Sequence, residues 1–290
     1  MTTKTDNLRA AGFMMVSMAA FVVNDALMKS LAGEIPLFQA IFVRGLFATV
    51  LVAGLAMARG VARPSALAPV DRKWAGVRVC AELGTTTCFL NALFNMPIAD
   101  ATAILQSTPL VLTLVAAVVL REQVGWRRWS AVIVGFIGVL MIVQPGGDGF
   151  NQAAFWALGA VVFIVVRDLA TKKLSPATPS LFITLLTAIS ITSLGGVVSV
   201  TQEWVPMVGG TVWVLGLSAC FLFVGYLFSV MTMRLGELGF VSPFRYSILV
   251  WALLIGAFVF GEIPNMLTIA GLMLVVATGL YTFHREQVRR

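Results

Sequence analysis

The sequence predicts an all-α integral membrane protein, and three observations lead to that class. First, 59% of the 290 residues are hydrophobic and only 11% are charged, whereas soluble proteins carry about 25% charged residues. Second, hydrophobic runs of about 20 residues, the length that a helix needs to cross a bilayer, recur along the chain. Third, these runs do not alternate between apolar and polar residues over about 10 residues, as membrane β-strands do.

Ten such runs are separated by short connections rich in Pro and Gly, such as 33–36 and 261–264. Because Pro and Gly interrupt helices, each cluster marks a boundary. Ten helices use about 200 residues, so no soluble domain fits in the remainder. The predicted spans are 8–32, 36–58, 74–93, 99–120, 129–144, 152–171, 178–200, 208–232, 239–260 and 266–283.

The connections between these spans alternate between basic and Lys/Arg-free. Sixteen of the 20 Lys and Arg residues lie at the two termini and in the basic connections, near 59–73, 121–128, 167–173 and 234. The five Lys/Arg-free connections lie near 33–36, 94–98, 144–152, 201–206 and 261–265. Positive charge marks the cytoplasmic side, so we expect both termini in the cytoplasm. The same bias explains the net charge of +7, and we expect no nucleic-acid partner.

The two halves of the chain repeat. Leu120–Glu122 ends span four and Phe260–Glu262 ends span nine, and the two glutamates are 140 residues apart. Each element is followed by a Gly-containing helix. Since each half has five spans, an odd number, the second copy must enter the membrane the other way up. We therefore predict two inverted five-helix repeats, residues 1–146 and 147–290, an architecture typical of alternating-access transporters.

Two stretches of the sequence are characteristic enough to suggest a family. They are FVVNDALMKSL…P…FVRGLFA, residues 21–48, and LREQVGWRRWSAVIVGFIGVLMI, residues 120–142. With ten spans in two halves, the chain resembles the EamA family of the drug/metabolite transporter superfamily over essentially its whole length. Arg121 departs from the family pattern, which usually has Gly there, so the first glutamate element matches less well than the second. The resemblance implies a secondary transporter of small metabolites.

The ionisable residues within the predicted spans include Asp25, Arg44 and Glu82, which lie at mid-helix depth. A charge in the middle of a bilayer costs at least about 2.5–3.5 kcal/mol, so these residues must pair, face water or bind a ligand. The long side chain of Arg44 could reach either carboxylate. Three interpretations stay open: an ion pair that locks spans one to three, a lining for a substrate with both charges, or proton coupling through a carboxylate.

Uncharged polar residues extend this candidate site. Gln106 and Tyr246 are 140 residues apart and therefore occupy related places in the repeat. We expect Asn24, Asp25, Gln106 and Tyr246 to line a cavity between the halves, with Arg44 and Glu82 close by. Hydrogen bonds between packed helices are the alternative role for the polar groups.

The sequence also lacks several catalytic patterns. No P-loop motif is present, which argues against ATP hydrolysis at such a loop, and the single histidine, His284, lies in the C-terminal tail. We therefore expect no enzyme activity, no cofactor and no metal site.

The hypothesis favoured by the sequence is a monomeric carrier in the bacterial inner membrane. It exports a small molecule, most simply an amino acid, aromatic ones included, by alternating access. The alternative within the same fold is a transporter of S-adenosylmethionine or of cationic drugs and metabolites. An intramembrane enzyme fits less well because the spans contain no histidine and no other catalytic constellation. A channel fits less well because inverted repeats favour a rocking carrier.

Overall fold

A computed structural model of the protein describes residues 4–63, 67–118, 125–145, 151–175, 178–207, 209–235 and 237–288. The regular secondary structure of these ranges is helical throughout. The α-helices are α1 (Lys4–Lys29), α2 (Leu37–Ala58), α3 (Arg72–Asn95), α4 (Ile98–Leu105), α5 (Thr108–Val118), α6 (Trp126–Val143), α7 (Ala153–Lys172), α8 (Ser180–Ser199), α9 (Gly209–Leu235), α10 (Leu238–Val241), α11 (Ser247–Phe260) and α12 (Met266–Val288). Short 3-10 segments cover Pro69–Asp71 and Ser242–Tyr246.

Proline and left-handed residues set several helix boundaries. Pro36, Pro97 and Pro179 immediately precede α2, α4 and α8, where a missing backbone N–H removes no helical hydrogen bond. Gly261 ends α11 at a φ of 67°, a conformation that glycine adopts without a steric penalty. The Pro and Gly clusters of the sequence therefore mark helix boundaries, because proline suits the start of a helix and glycine its end.

The helices confirm the predicted membrane class. In the described part of the chain, seven helical stretches are long and apolar enough to cross a membrane, judged by length and composition. Two shorter apolar helices, Trp129–Val143 and Met266–Thr282, lie within α6 and α12. α3 has 24 residues and carries Arg78 and Glu82 among its apolar side chains. These ten stretches correspond to the ten predicted spans.

Two predicted spans are broken rather than continuous. Span four is α4 followed by α5, with the break at Gln106 and Ser107. Pro109 cannot donate a backbone hydrogen bond to the carbonyl of Leu105, and the Thr108 hydroxyl donates to that carbonyl instead, at 2.6 Å. Span nine is broken at the repeat-related place, where the 3-10 segment joins α10 to α11. Such breaks within a membrane span are tolerated where nearby side chains bond the freed backbone groups.

The Lys/Arg-free connections meet at one end of the bundle. The amide of Asn151 donates to the carbonyl of Asn95 at 2.6 Å, and the amide of Gln144 donates to the side-chain oxygen of Asn265 at 3.0 Å. These two contacts join three of the five connections. The alternation of charge along the sequence is therefore a real alternation between the two ends of the bundle.

Basic connections meet at the opposite end. The carboxylate of Asp71, just before α3, accepts hydrogen bonds from the hydroxyls of Ser175 and Thr178, both at 2.6 Å. These residues follow α7, so the contact joins the first basic connection to the connection between α7 and α8. The hydrogen bonds lower the pKa of Asp71 below its ordinary value, the one from Ser175 contributing most.

The helices of the two halves pair reciprocally. The most extensive contacts join α1 to α9, α3 to α7, α2 to α8, and α6 to α12, with a further contact between α4 and α11. The first span of one half thus packs on the third span of the other half, and the second, fourth and fifth spans pack on their own counterparts. A self-complementary pattern of this kind is what a two-fold axis between similar units produces.

Candidate functional site

Asn24 is the centre of a polar group that joins three helices. Its side-chain oxygen accepts hydrogen bonds from the guanidinium of Arg44 on α2, at 3.3 Å, and from the hydroxyl of Ser218 on α9, at 2.8 Å. Its amide nitrogen donates to the carboxylate of Asp25 at 2.8 Å. Asn24 therefore holds the two charged residues of the sequence-predicted site on either side of itself.

Arg44 and Asp25 attract each other without a direct ion pair. Arg44 is 7% exposed and interacts electrostatically with Asp25. Among the described residues, however, the pairs with N and O atoms within 4.0 Å do not include these two. Each charge thus keeps bonding capacity for a group of opposite sign.

Glu82 pairs with a residue that the sequence analysis had placed in a basic connection. Arg167 on α7 lies 3.4 Å from the Glu82 carboxylate and 2.9 Å from Asp168. The expectation that Arg44 could reach Glu82 is not met in this structure, because Glu82 lies on α3 where α7 packs most closely. Arg78, also on α3, donates to the hydroxyls of Thr171 and Thr187.

Tyr226 on α9 lies between these two charged groups. Its hydroxyl interacts electrostatically with Glu82, Arg167, Arg78 and Arg44. The residue is nevertheless 45% exposed. Tyr226 therefore lies near charged residues of α2, α3 and α7, while part of its side chain stays exposed.

Lys29 forms a separate cluster at the Lys/Arg-free end instead of extending its ammonium to the membrane surface. The ammonium lies 2.9 Å from the Glu262 carboxylate, which follows α11. It also donates to the carbonyls of Leu93, at 3.2 Å, and Met96, at 2.5 Å. The other Glu262 oxygen accepts the backbone N–H of Ile98 at the start of α4, at 2.9 Å. This cluster ties α1, α3, α4 and α11 together at one end.

Gln106 and Tyr246 lie at the two helix breaks and not in the Asn24 group. Gln106 is the residue that ends α4. The hydroxyl of Tyr246 lies where a Cβ on Gly279 would be, so the ring is directed toward α12. The structure thus brings Asn24, Asp25 and Arg44 together. The side chain of Tyr246 is directed toward α12 and is not part of that group.

Comparisons with known proteins agree with this architecture. Residues 8–144 match the EamA-like transporter family. The S-adenosylmethionine uptake transporter of Rickettsia prowazekii (strain Madrid E) is 22% identical over 276 residues, which is 94% of this chain and 92% of that protein. The chain is a membrane transporter of the EamA type. The family resemblance predicted from the sequence is confirmed.

Other relatives of this EamA-type transporter are named for different substrates. The riboflavin transporter of Vibrio cholerae is 32% identical, over 59% of this chain and 57% of its own length. The pseudopaline exporter of Pseudomonas aeruginosa (strain UCBPP-PA14) is 25% identical, over 93% of this chain and 95% of its own length. A solved crystal structure with 16% sequence identity matches with a TM-score of 0.64, over 97% of this chain and 99% of that chain, which supports the fold.

Three polar residues of the EamA-type transporter's interior were missed by the sequence analysis. Arg167 lies inside the predicted span 152–171, and its position there was a signal that could have set it apart from the loop charges. Ser218 and Tyr226 belong to a span with many small and aromatic residues, and nothing in the local sequence marks them. Only their contacts with Asn24 and with the charged residues do so.

The described residues contain no group of three or more His, Cys, Asp or Glu that could hold a metal ion. The polar groups described above are charges, amides and hydroxyls. Such groups can bind and orient a polar solute of either charge sign.

Proposed function

We propose that the protein is a secondary carrier for a metabolite with an α-amino-acid end, and that S-adenosylmethionine represents its substrate class. The observation that carries the proposal is the Asn24 group, where a cation and an anion lie near each other without a direct pair. The Arg44 guanidinium suits an α-carboxylate, since planar charge-assisted pairing matches the two groups. The Asp25 carboxylate suits the α-ammonium.

S-adenosylmethionine is favoured over a free amino acid by the comparisons. The relative from Rickettsia prowazekii matches nearly the full length and is named for S-adenosylmethionine uptake. Both substrates have the same charged end, so the Asn24 group alone would accept either. Export of amino acids is therefore the second candidate, supported by that shared end and not by any relative named above.

Alternating access is the mechanism that the helix pairing supports. We propose that residues 1–146 and 147–290 are inverted repeats, because their helices pack reciprocally and their fourth spans are both broken. Such a carrier exposes one site to each side in turn by a rocking of the two halves. In this proposal the protein lies in the bacterial inner membrane with both termini in the cytoplasm, acts as a monomer and catalyses no reaction.

Counterflow in phospholipid vesicles tests this function. The purified protein, reconstituted in vesicles preloaded with unlabelled S-adenosylmethionine, should accumulate the labelled compound transiently and saturably. Unlabelled amino acids in the outer medium show by competition whether they share the site. Accumulation that neither saturates nor depends on preloading would indicate a channel, and competition by amino acids without any S-adenosylmethionine counterflow would favour the second candidate.

Variants of Arg44 test the binding role of the site. Loss of a hydrogen bond to a charged group costs about 1.5–3 kcal/mol, so Arg44→Gln should weaken uptake about tenfold or more, while Arg44→Lys keeps part of it. Arg72→Gln, at the exposed start of α3, is the matched control. If Arg44 only balances Asp25, the double variant Arg44→Gln with Asp25→Asn should restore both stability and uptake. If Arg44 binds substrate, the double variant stays inactive.

A further inference from the structure

Three aromatic side chains on three different helices lie around the segment of α1 that precedes the Asn24 group. The rings of Phe21 on α1 and Tyr226 on α9 meet edge to face, with centroids 5.3 Å apart. Phe21 and Trp251 of α11 pack against one buried cluster that includes Met18. Phe21 precedes Asp25 by one helical turn, a rise of about 6 Å. We call Phe21, Tyr226 and Trp251 the aromatic shelf.

Two polar atoms beside the aromatic shelf are buried without a partner. They are Nε1 of Trp251 and the hydroxyl oxygen of Ser247, for which the described protein provides no hydrogen bond. The two residues are four positions apart and therefore lie on the same face of α11. Buried polar groups are almost always paired, because an orphaned group loses its bonds to water without replacement. A donor N–H and a hydroxyl on one face therefore point to a polar ligand atom.

The orientation of α11 places these atoms deeper in the bundle than the charged residues. Lys29 at the end of α1 pairs with Glu262 at the end of α11, so the two helices run in the same direction. Trp251 is eleven residues before Glu262, a rise of about 16 Å, whereas Asp25 is four residues before Lys29, about 6 Å. An occupant that reaches both Asp25 and Trp251 must therefore be elongated.

We propose, on the basis of the proposed function, that the aromatic shelf and Ser247 form a subsite for a nitrogen heteroaromatic ring such as a purine. The rings of the shelf supply stacking and edge-to-face contacts, and the Trp251 N–H and Ser247 hydroxyl pair with ring nitrogens. A benzene ring has no acceptor for these groups. The subsite therefore selects a nucleoside-bearing amino acid over a simple or phenyl-bearing one.

Competition between two ligands tests the subsite. S-methylmethionine has the amino-acid end and the sulfonium of S-adenosylmethionine but lacks the nucleoside. The wild-type protein should bind S-adenosylmethionine at least about tenfold more tightly than S-methylmethionine, as expected when about 1.4 kcal/mol of ring interaction is added. Trp251→Leu should reduce this ratio to near one by weakening only S-adenosylmethionine. Trp251→Phe and Ser247→Ala, which remove one polar group each, should lower the ratio part of the way.

Controls separate the subsite from the general fold. Trp213→Leu, at a side chain on α9 that is 81% exposed, should keep the wild-type ratio, and thermal melting in detergent monitors folding of every variant. If Trp251→Leu does not fold, Trp251→Phe and Ser247→Ala provide the test. An unchanged ratio in the folded variants, or equal binding of both ligands by the wild type, overturns the subsite. Binding of neither ligand by the wild type overturns the proposed function, and the subsite with it.

Discussion

The Lys29–Glu262 pair should contribute more to stability than any exposed charge of the protein. The loss of stability should be larger when Lys29 is replaced than when Glu262 is replaced. Lys29→Met removes the ammonium but keeps most of the side-chain volume. It leaves a Glu262 carboxylate whose side chain is only 21% exposed, and two carbonyls without their donor. Removal of one partner of a buried pair costs about 3–5 kcal/mol. Because Glu262 still accepts the Ile98 N–H, we expect the lower end, about 3 kcal/mol.

Glu262→Gln should cost less. The amide oxygen can still accept the N–H of Ile98, and the Lys29 ammonium keeps its bonds to Leu93 and Met96. Only the charge of the acceptor is lost, which is worth about 1–2 kcal/mol. The double variant leaves neither Lys29 nor Glu262 without its partner, so its loss should be about 2 kcal/mol smaller than the sum of the single losses.

Equilibrium unfolding in mixed detergent micelles, followed by helical circular dichroism, measures these differences. Lys173→Met, at an exposed lysine after α7, is the matched control and should change the free energy of unfolding by less than about 0.5 kcal/mol. The argument is refuted if Lys29→Met is no worse than the control. Strict additivity of the two single variants would refute it equally, since independent residues show no coupling.

Three further predictions concern packing, pH and topology. Gly138→Ala should destabilise the protein by about 1–3 kcal/mol. The added Cβ would lie 2.8 Å from the backbone carbonyl oxygen of Gly271 on α12. Gly54→Ala should be neutral in the same unfolding assay, because no atom lies within 4 Å of the position of its Cβ. The pKa of Asp71 is lowered in the folded protein. Its contribution to the free energy of unfolding is therefore complete above its unfolded pKa of about 3.9 and is lost as the pH falls through the lower pKa of the folded state. The stability difference between wild type and Asp71→Asn should therefore be constant near neutral pH and shrink only below about pH 4; a difference that shrinks near pH 6 would contradict this assignment. In intact cells a membrane-impermeant thiol reagent should label Ile263→Cys, which is 83% exposed, and not Glu122→Cys, in a segment outside the described residues; labelling of both would contradict the inverted topology.

The sequence determined the membrane class, the number of spans and the ends at which the connections meet. These features depend on run length and on the placement of Lys and Arg, which act locally and need no knowledge of which helices touch. The charge alternation was sufficient to group Gln144 with Asn265, residues 121 positions apart. Pro97 and Gly261 likewise fix helix ends by their own backbone geometry.

The breaks within spans four and nine were accessible in principle but were missed. Pro109 lies in the middle of one hydrophobic run and Pro243 near the start of another, and the hydropathy of those runs outweighed the backbone signal. The carbonyl freed by Pro109 is bonded by the neighbouring Thr108, which makes a break tolerable within an apolar segment. A proline preceded by Ser or Thr inside a span is the signal for such a break.

Tertiary structure alone decided which charged residues meet. Asp25, Arg44 and Glu82 looked equivalent in the sequence, since each lies at a similar depth in its own helix. The packing of α3 against α7 pairs Glu82 with Arg167. The packing of both α1 and α2 against α9 places Asn24 between Asp25 and Arg44. Pairing depends on the rotation of each helix about its axis, and that rotation is set by contacts between residues far apart in the chain.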